Sequence, residues 1–145
     1  MIYTALTKKA LQLSFTLHQY QLDKSGIPYV YHPFHLAEQM TSEYAVCVAL
    51  LHDAVEDTDM TLDELRRRGF PEEVVDAIAM MTHDDSVPYL DYVRALRKNP
   101  LARAVKLADL RHNSDLTRLD AVTEKDLRRV EKYQQAIAVL EEDAE

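Results

Sequence analysis

Glycine is almost missing from this chain: two glycines and five prolines stand in 145 residues. So few chain-reversing residues leave little room for tight hairpins and argue for long helices joined by few turns. Cysteine is nearly missing too. The single Cys47 excludes an internal disulfide, and its place in an apolar run marks it as a small buried hydrophobe of a reducing compartment. No apolar run approaches the roughly 20 residues of a membrane span. The start, Met1-Ile2-Tyr3-Thr4, lacks the basic-then-apolar build of a secretion signal. We therefore expect a cytoplasmic protein without a membrane partner. An excess of positive charge is also lacking. With a formal charge of -8, the chain is not expected to bind nucleic-acid backbone. A phosphate-bearing substrate would need a metal ion or a local basic cluster to receive it.

The residues that are present make an ordinary globule. Apolar residues are 47% and charged residues 29%, which predicts a real core under a polar surface. At this length one domain, residues 1–145, is expected.

The spacing predicts helices throughout. Residues 3–21 carry Tyr3, Leu6, Ala10, Leu13, Leu17 and Tyr20 at steps of three and four, one apolar stripe. His18 lies one residue beyond it, where a structural, hydrogen-bonded role is expected. Gly26 and Pro28 end that segment. His32 precedes Pro33, so an extended backbone is expected there, with Pro33 opening a helix over 34–40 and His35 three positions on. Thr41-Ser42-Glu43 caps a central helix running to about Val55 or Asp57. Thr61 opens a short helix that ends at Arg66-Arg67-Arg68-Gly69, a solvated basic turn. Pro71 starts a helix through Met81, and 82–87 is a polar loop whose His83, Asp84 and Asp85 have no rigid element beneath them. Further helices are predicted from Pro88 to about Lys98, from Leu101 to about Leu119, and from the Thr123 cap through Leu140, with Glu141 to Glu145 fraying. No strand pattern and no repeat is visible. The fold class is all-α, with about seven or eight helices.

Chemistry concentrates in two places. The central helix turns from apolar to acidic within one stretch, Ala49-Leu50-Leu51-His52-Asp53-Ala54-Val55-Glu56-Asp57-Thr58. On a helix His52 and Glu56 are i,i+4 neighbours, as are Asp53 and Asp57, and all four fall within an arc of about 140°. Three carboxylates and an imidazole at the end of a buried helix repel one another unless a cation sits among them. The second place is Lys106-Leu107-Ala108-Asp109-Leu110-Arg111-His112-Asn113, where Lys106, Asp109 and Asn113 share a helix face. An aspartate beside that apolar stripe must be paired or must bind a cation. His32, His52, Asp53 and Asp109 together form a mixed nitrogen and oxygen set suited to manganese, iron or zinc.

These segments carry a resemblance. Gly26-Ile27-Pro28-Tyr29-Val30-Tyr31-His32-Pro33 resembles the G-x-P-Y-x-x-H-P segment of RelA/SpoT-type hydrolase domains, members of the HD-domain metal-dependent phosphohydrolases. Leu50 to Thr58 resembles their L-L-H-D-x-x-E-D-T segment, and Lys106 to Asn113 their K-L-A-D-x-x-H-N segment. The three motifs stand in the family's order and cover the chain from its first helix to its seventh. The single-domain length resembles the small alarmone hydrolases.

The resemblance implies an all-helical fold, a bound divalent metal, usually manganese, and removal of the 3′-pyrophosphate from guanosine tetra- or pentaphosphate. By position it implies His32, His52, Asp53 and Asp109 as metal ligands and Glu56 and Asp57 as the acidic pair acting on the attacking water. Lys24, Ser25, Lys106 and Asn113 fall at the positions expected to meet the nucleotide. The chain departs from the pattern twice. Asp23 stands where the family has an arginine that stacks on guanine, and Ser114-Asp115-Leu116 stands where Met-Arg-Thr is usual. Exchanging that arginine for aspartate removes a stacking cation and sets repulsion against phosphate, so Asp23→Arg is expected to tighten guanine binding. Two alternatives remain open at this point: an HD phosphohydrolase of another nucleotide, such as a nucleoside monophosphate or a phosphorylated dinucleotide cofactor, and a catalytically silent nucleotide-binding module.

Overall fold

The computed structural model describes residues 1–142. Its organising element is α3 (Glu43–Leu51), in which every residue from position 45 to 51 is buried. A helix apolar on all sides must be wrapped. Four helices do so: α1 (Ala5–His18), α2 (Tyr31–Glu38), α6 (Glu72–Met81) and α8 (Pro100–Asn113) all pack on it. Between them run α4 (Ala54–Asp57), α5 (Leu62–Arg67) and α7 (Tyr89–Leu96), and after α8 come a 3-10 turn (Leu116–Arg118) and α9 (Glu124–Glu141). The last helix closes the bundle against α7 and α8. Among the described residues there is no strand, so the all-α expectation holds; a lone antiparallel bridge joins Leu22 and Pro28.

The helix starts are where hydroxyl and amide side chains place them. Thr4 and Thr123 each form a reciprocal capping box, with Thr7 and Asp126, while Ser42 and Thr61 accept from the backbone N–H three residues on. Asn99 caps α8 ahead of Pro100 at its first turn. Gly69 ends α5 at φ 90°, a conformation that side-chain-bearing residues rarely adopt.

Four boundaries differ from those predicted. The first helix stops at His18, because the 21–29 segment folds back on itself through Tyr29 N–H to Gln21 O at 2.8 Å. His32 lies inside α2 although a proline follows it: Pro33 sits in the first turn, where its missing N–H has no helical partner to lose. The predicted central helix is two. His52 and Asp53 keep right-handed backbone, yet the ladder is interrupted there, and α4 restarts with Asp57 N–H on Asp53 O at 2.9 Å. Among the described residues there are eight helices of six or more residues and this short one, so the number expected is matched with the break added. Likewise α8 ends at Asn113, well before Leu119, and the chain turns through the 3-10 segment. Of the acidic end expected to fray, residues 143–145 lie outside the described residues. No helix of the described residues is long and apolar enough to cross a membrane.

Candidate metal centre

Three helices deliver the donors. His32 comes from the first turn of α2, His52 from the end of α3 and Asp109 from the middle of α8, and one donor atom from each lies within 4.8 Å of the other two. All three are buried. His32 Nε2 is 2.9 Å from Asp109 Oδ1, and His52 Nε2 is 3.6 Å from the same oxygen. Asp53 stands beside this group rather than in it. Its Oδ2 is 3.1 Å from His52 Nε2 and accepts the hydroxyl hydrogen of Tyr29.

His52 tells what belongs in the space. Its Nδ1 is 2.7 Å from Ala49 O, a carbonyl that can only accept, so Nδ1 carries the proton. In a neutral ring Nε2 then presents a lone pair, and this buried atom has no hydrogen-bond partner. The 3.1 Å approach of Asp53 is close, but it lacks hydrogen-bond alignment. A lone pair facing two carboxylate oxygens is repulsive without a cation between them. Deprived of one, burial works to keep His52 neutral, but Asp53 and Asp109 overcome it and hold its pKa well above the ordinary value. Conversely, burial raises Asp53, while protonated His52 outweighs it and brings the carboxyl to about 2. The donor set and the orphaned nitrogen both fit a divalent metal.

Asp109 is held from the far side. Lys106 Nζ donates to Oδ2 at 3.0 Å and Asn113 Nδ2 to Oδ1 at 3.0 Å, which bears out the shared helix face. Burial raises this carboxyl, yet Lys106 and the two imidazoles keep it well below the carboxylate range. Lys106 thus offsets the buried Asp109 charge, leaving that of the partly buried Asp53 to be matched.

Glu56 and Asp57 follow on α4 and are exposed. Burial of part of each side chain, then repulsion from Asp53, raises both carboxyls above their ordinary values. The backbone N–H of His83 and the charge of Lys106 act in the opposite sense on Glu56. The His83 ring itself closes its loop, Nε2 to Val87 O at 2.7 Å, and lies outside the metal group. His18 is buried with Nδ1 2.9 Å from Gln21 Oε1, the hydrogen bond expected of it; its Nε2, like that of His52, has no hydrogen-bond partner, but the ring lies outside the metal group. The three arginines of 66–68 pair with Asp63, Glu64 and Glu72 at the surface.

A cavity of about 330 Å³ adjoins this centre, walled by Lys24, Ser25, Tyr29, Asn113, Arg118 and Arg129 among others. A larger apolar groove of about 820 Å³, between α1 and α2, includes none of the metal-group or acidic residues. Three of the four expected nucleotide contacts, Lys24, Ser25 and Asn113, line the smaller cavity; Lys106 is engaged with Asp109 instead. Asp23 turns into its own loop, where Oδ1 accepts from Ser25 N–H at 2.8 Å and Ile27 N–H at 3.0 Å. Arg118 Nη2 lies 3.8 Å from Asp23 Oδ2, and its Nη1 donates to His112 O at 2.9 Å.

Sequence reasoning singled out neither Arg118 nor Tyr29. Tyr29 stands in a quoted motif, and a tyrosine three residues before a buried histidine was the available signal. Arg118 had none, because Ser25 Oγ to Arg118 O, 2.8 Å, joins segments 93 residues apart.

The chain has relatives among known proteins. The chain is 38% identical over 112 residues to the guanosine-3′,5′-bis(diphosphate) 3′-pyrophosphohydrolase MESH1 of Homo sapiens, covering 69% of this chain and 62% of that protein. It is 33% identical over 129 residues to the protein of the same name from Danio rerio, covering 79% of this chain and 71% of that one. The match thus spans about three fifths of the human relative's length. Among solved structures it resembles one described as a metazoan ortholog of SpoT that hydrolyzes ppGpp, with a TM-score of 0.76, 25% identity, and coverage of 97% of this chain and 88% of that one. No family model matches the chain.

Proposed function

The chain belongs to the MESH1 family of guanosine-3′,5′-bis(diphosphate) 3′-pyrophosphohydrolases, and from that premise we propose that it is a manganese-dependent hydrolase that removes the 3′-pyrophosphate from guanosine tetra- or pentaphosphate. The observation that carries this reading is the His52 lone pair, buried without a partner between two carboxylates and beside His32. The ligand set on this reading is His32, His52, Asp53 and Asp109, acting in one cytoplasmic hydrolase domain over residues 1–145.

A bound divalent cation supplies Lewis acidity toward the scissile phosphate and toward water. The chain supplies the rest. Tyr29 holds the Asp53 carboxylate through its hydroxyl, and Lys106 and Asn113 hold that of Asp109, so both carboxylates keep their direction as substrate arrives. Glu56 and Asp57, exposed one turn beyond Asp53, orient the attacking water and accept its proton. Their raised pKa values bring them closer to the working pH, which is what a general base requires. Lys24, Arg118 and Arg129 bring cations to a cavity that Asp23 and Asp115 also line, and they stand against Asp23 and Asp126, so a polyphosphate would displace these pairs to reach them and would rely on the metal for the remaining charge.

The test is product analysis with manganese and guanosine tetraphosphate. Release of GDP and pyrophosphate, abolished by a chelator, is expected. Metal bound without release would overturn the substrate assignment and move it to another nucleotide, the reading that the Asp23 carboxylate at the cavity rim favours.

A further inference from the structure

His112 was quoted in the sequence only as a neighbour of Asn113, yet it makes one of the closest polar contacts at the metal centre. Its Nδ1 is 2.7 Å from His32 Nδ1. The ring planes differ by 7° and the centroids are 4.9 Å apart. That is nearly the largest centroid separation such a short nitrogen contact permits. The contact therefore lies in the ring planes, along an N–H direction, and is not a face-to-face stack. Two nitrogens in line at this distance share one proton: one donates and the other accepts.

The direction of that bond decides what His32 offers at its other nitrogen. If His112 donates, the neutral His32 ring carries its hydrogen on Nε2, aims it at Asp109 Oδ1 2.9 Å away, and has no lone pair for a metal. If His112 accepts, His32 is protonated at Nδ1 and Nε2 is free to coordinate. We infer that His112 is a positioning residue that accepts from His32 Nδ1 and so keeps the Nε2 lone pair directed at the metal. This rests on the metal reading above.

The surroundings hold His112 in that pose from two more sides. Arg118 Nη1 donates to its backbone carbonyl, and the exposed His35 ring lies 4.2 Å from its centroid. His112 is itself half-buried at a surface groove shared with His35 and Arg118, so a hydrogen on its remaining nitrogen does not need a buried acceptor. The guanidinium that faces Asp23 thus also braces the metal centre at one remove.

Manganese affinity, measured by calorimetry without substrate, tests the inference through two variants. His112→Leu removes the acceptor and is expected to weaken Mn2+ binding about 10- to 100-fold, the usual cost of losing a partner of a ligand. His112→Asn places an amide oxygen near the Nδ1 position and is expected to restore affinity to within a few-fold of the unaltered chain. Thermal melts of the metal-free proteins report folding separately. Unchanged affinity in the leucine variant, or an asparagine variant as weak as leucine, would overturn the inference. The unaltered chain gives an independent readout. With Zn2+ bound, imidazole nitrogen NMR should show the His112 hydrogen on Nε2, and a hydrogen on Nδ1 would overturn it. A chain that binds no divalent ion at all fails earlier, at the metal reading itself.

Discussion

His32, His52 and Asp109 are almost sealed from solvent, and each stands on a helix that belongs to the α3 bundle. Lys24, Ser25 and Arg118 face the adjoining cavity from connections: the segment between α1 and α2, and the 3-10 turn after α8. The difference is one of constraint. A cation site needs fixed donors, and packed helices fix them. A cavity walled by connections is freer to vary, and in this one the Arg118 guanidinium stands 3.8 Å from the Asp23 carboxylate.

The comparison predicts a sharp division of mutant behaviour, and the largest effect falls on the buried side. Asp109→Ala leaves Lys106 and two imidazoles facing a vacated anion site, a change of the kind that costs about 3–5 kcal/mol. Manganese content by elemental analysis should drop to background and turnover should vanish, while Lys24→Ala keeps full metal. Full occupancy in the Asp109 variant would erase the division.

Next in size is Glu56→Gln, which should retain manganese and lose turnover by about 10²-fold or more if the carboxylate takes the proton. Near-normal turnover would remove Glu56 from the mechanism. On the cavity side the effect should move to binding. Arg118→Ala is expected to raise KM for guanosine tetraphosphate about 10-fold with little change in kcat, the scale of one hydrogen bond to a charged group. An unchanged KM would leave that cavity without its main cation. The Asp23→Arg variant, expected from sequence to tighten binding, should instead weaken it, since it removes the acceptor of Ser25 and Ile27 N–H and sets two guanidiniums together.

The smallest effect is a pH dependence of the metal-free protein. Glu56 and Asp57 have folded-state pKa values above their ordinary ones, so the folded chain binds protons more readily than the unfolded chain. Their contribution therefore lowers stability as pH rises from the ordinary carboxylate range through the raised values. Glu56→Gln should raise the metal-free Tm slightly at neutral pH, and the gain should disappear below the ordinary glutamate value of 4.5. A gain that persists in acid would show that it has another origin.

Legibility in the sequence followed the same division. His52 and Asp109 could be singled out as candidates because a histidine or aspartate at the edge of an apolar stretch has few reasons to be there, and both are buried close together in the structure. The α3 stripe and the Lys106–Asp109–Asn113 face are local patterns, and both stand in the structure. The break at His52-Asp53 could not be read, since both residues keep helical backbone and only the hydrogen-bond ladder shows it. Arg118 and His112 could not be given roles because their partners lie far along the chain, His32 at 80 residues from His112. Periodicity carries no information on such pairings.

Cys47 lies at the middle of α3 with no exposed surface, and burial pushes its thiol pKa to about 12. A maleimide or disulfide reagent reacts with thiolate and must reach it, so the folded chain should be inert to both. Labelling then becomes a clock for opening of the bundle. One natural atom at the centre would report, without any engineered probe, how often the molecule comes apart with manganese present and how often without it.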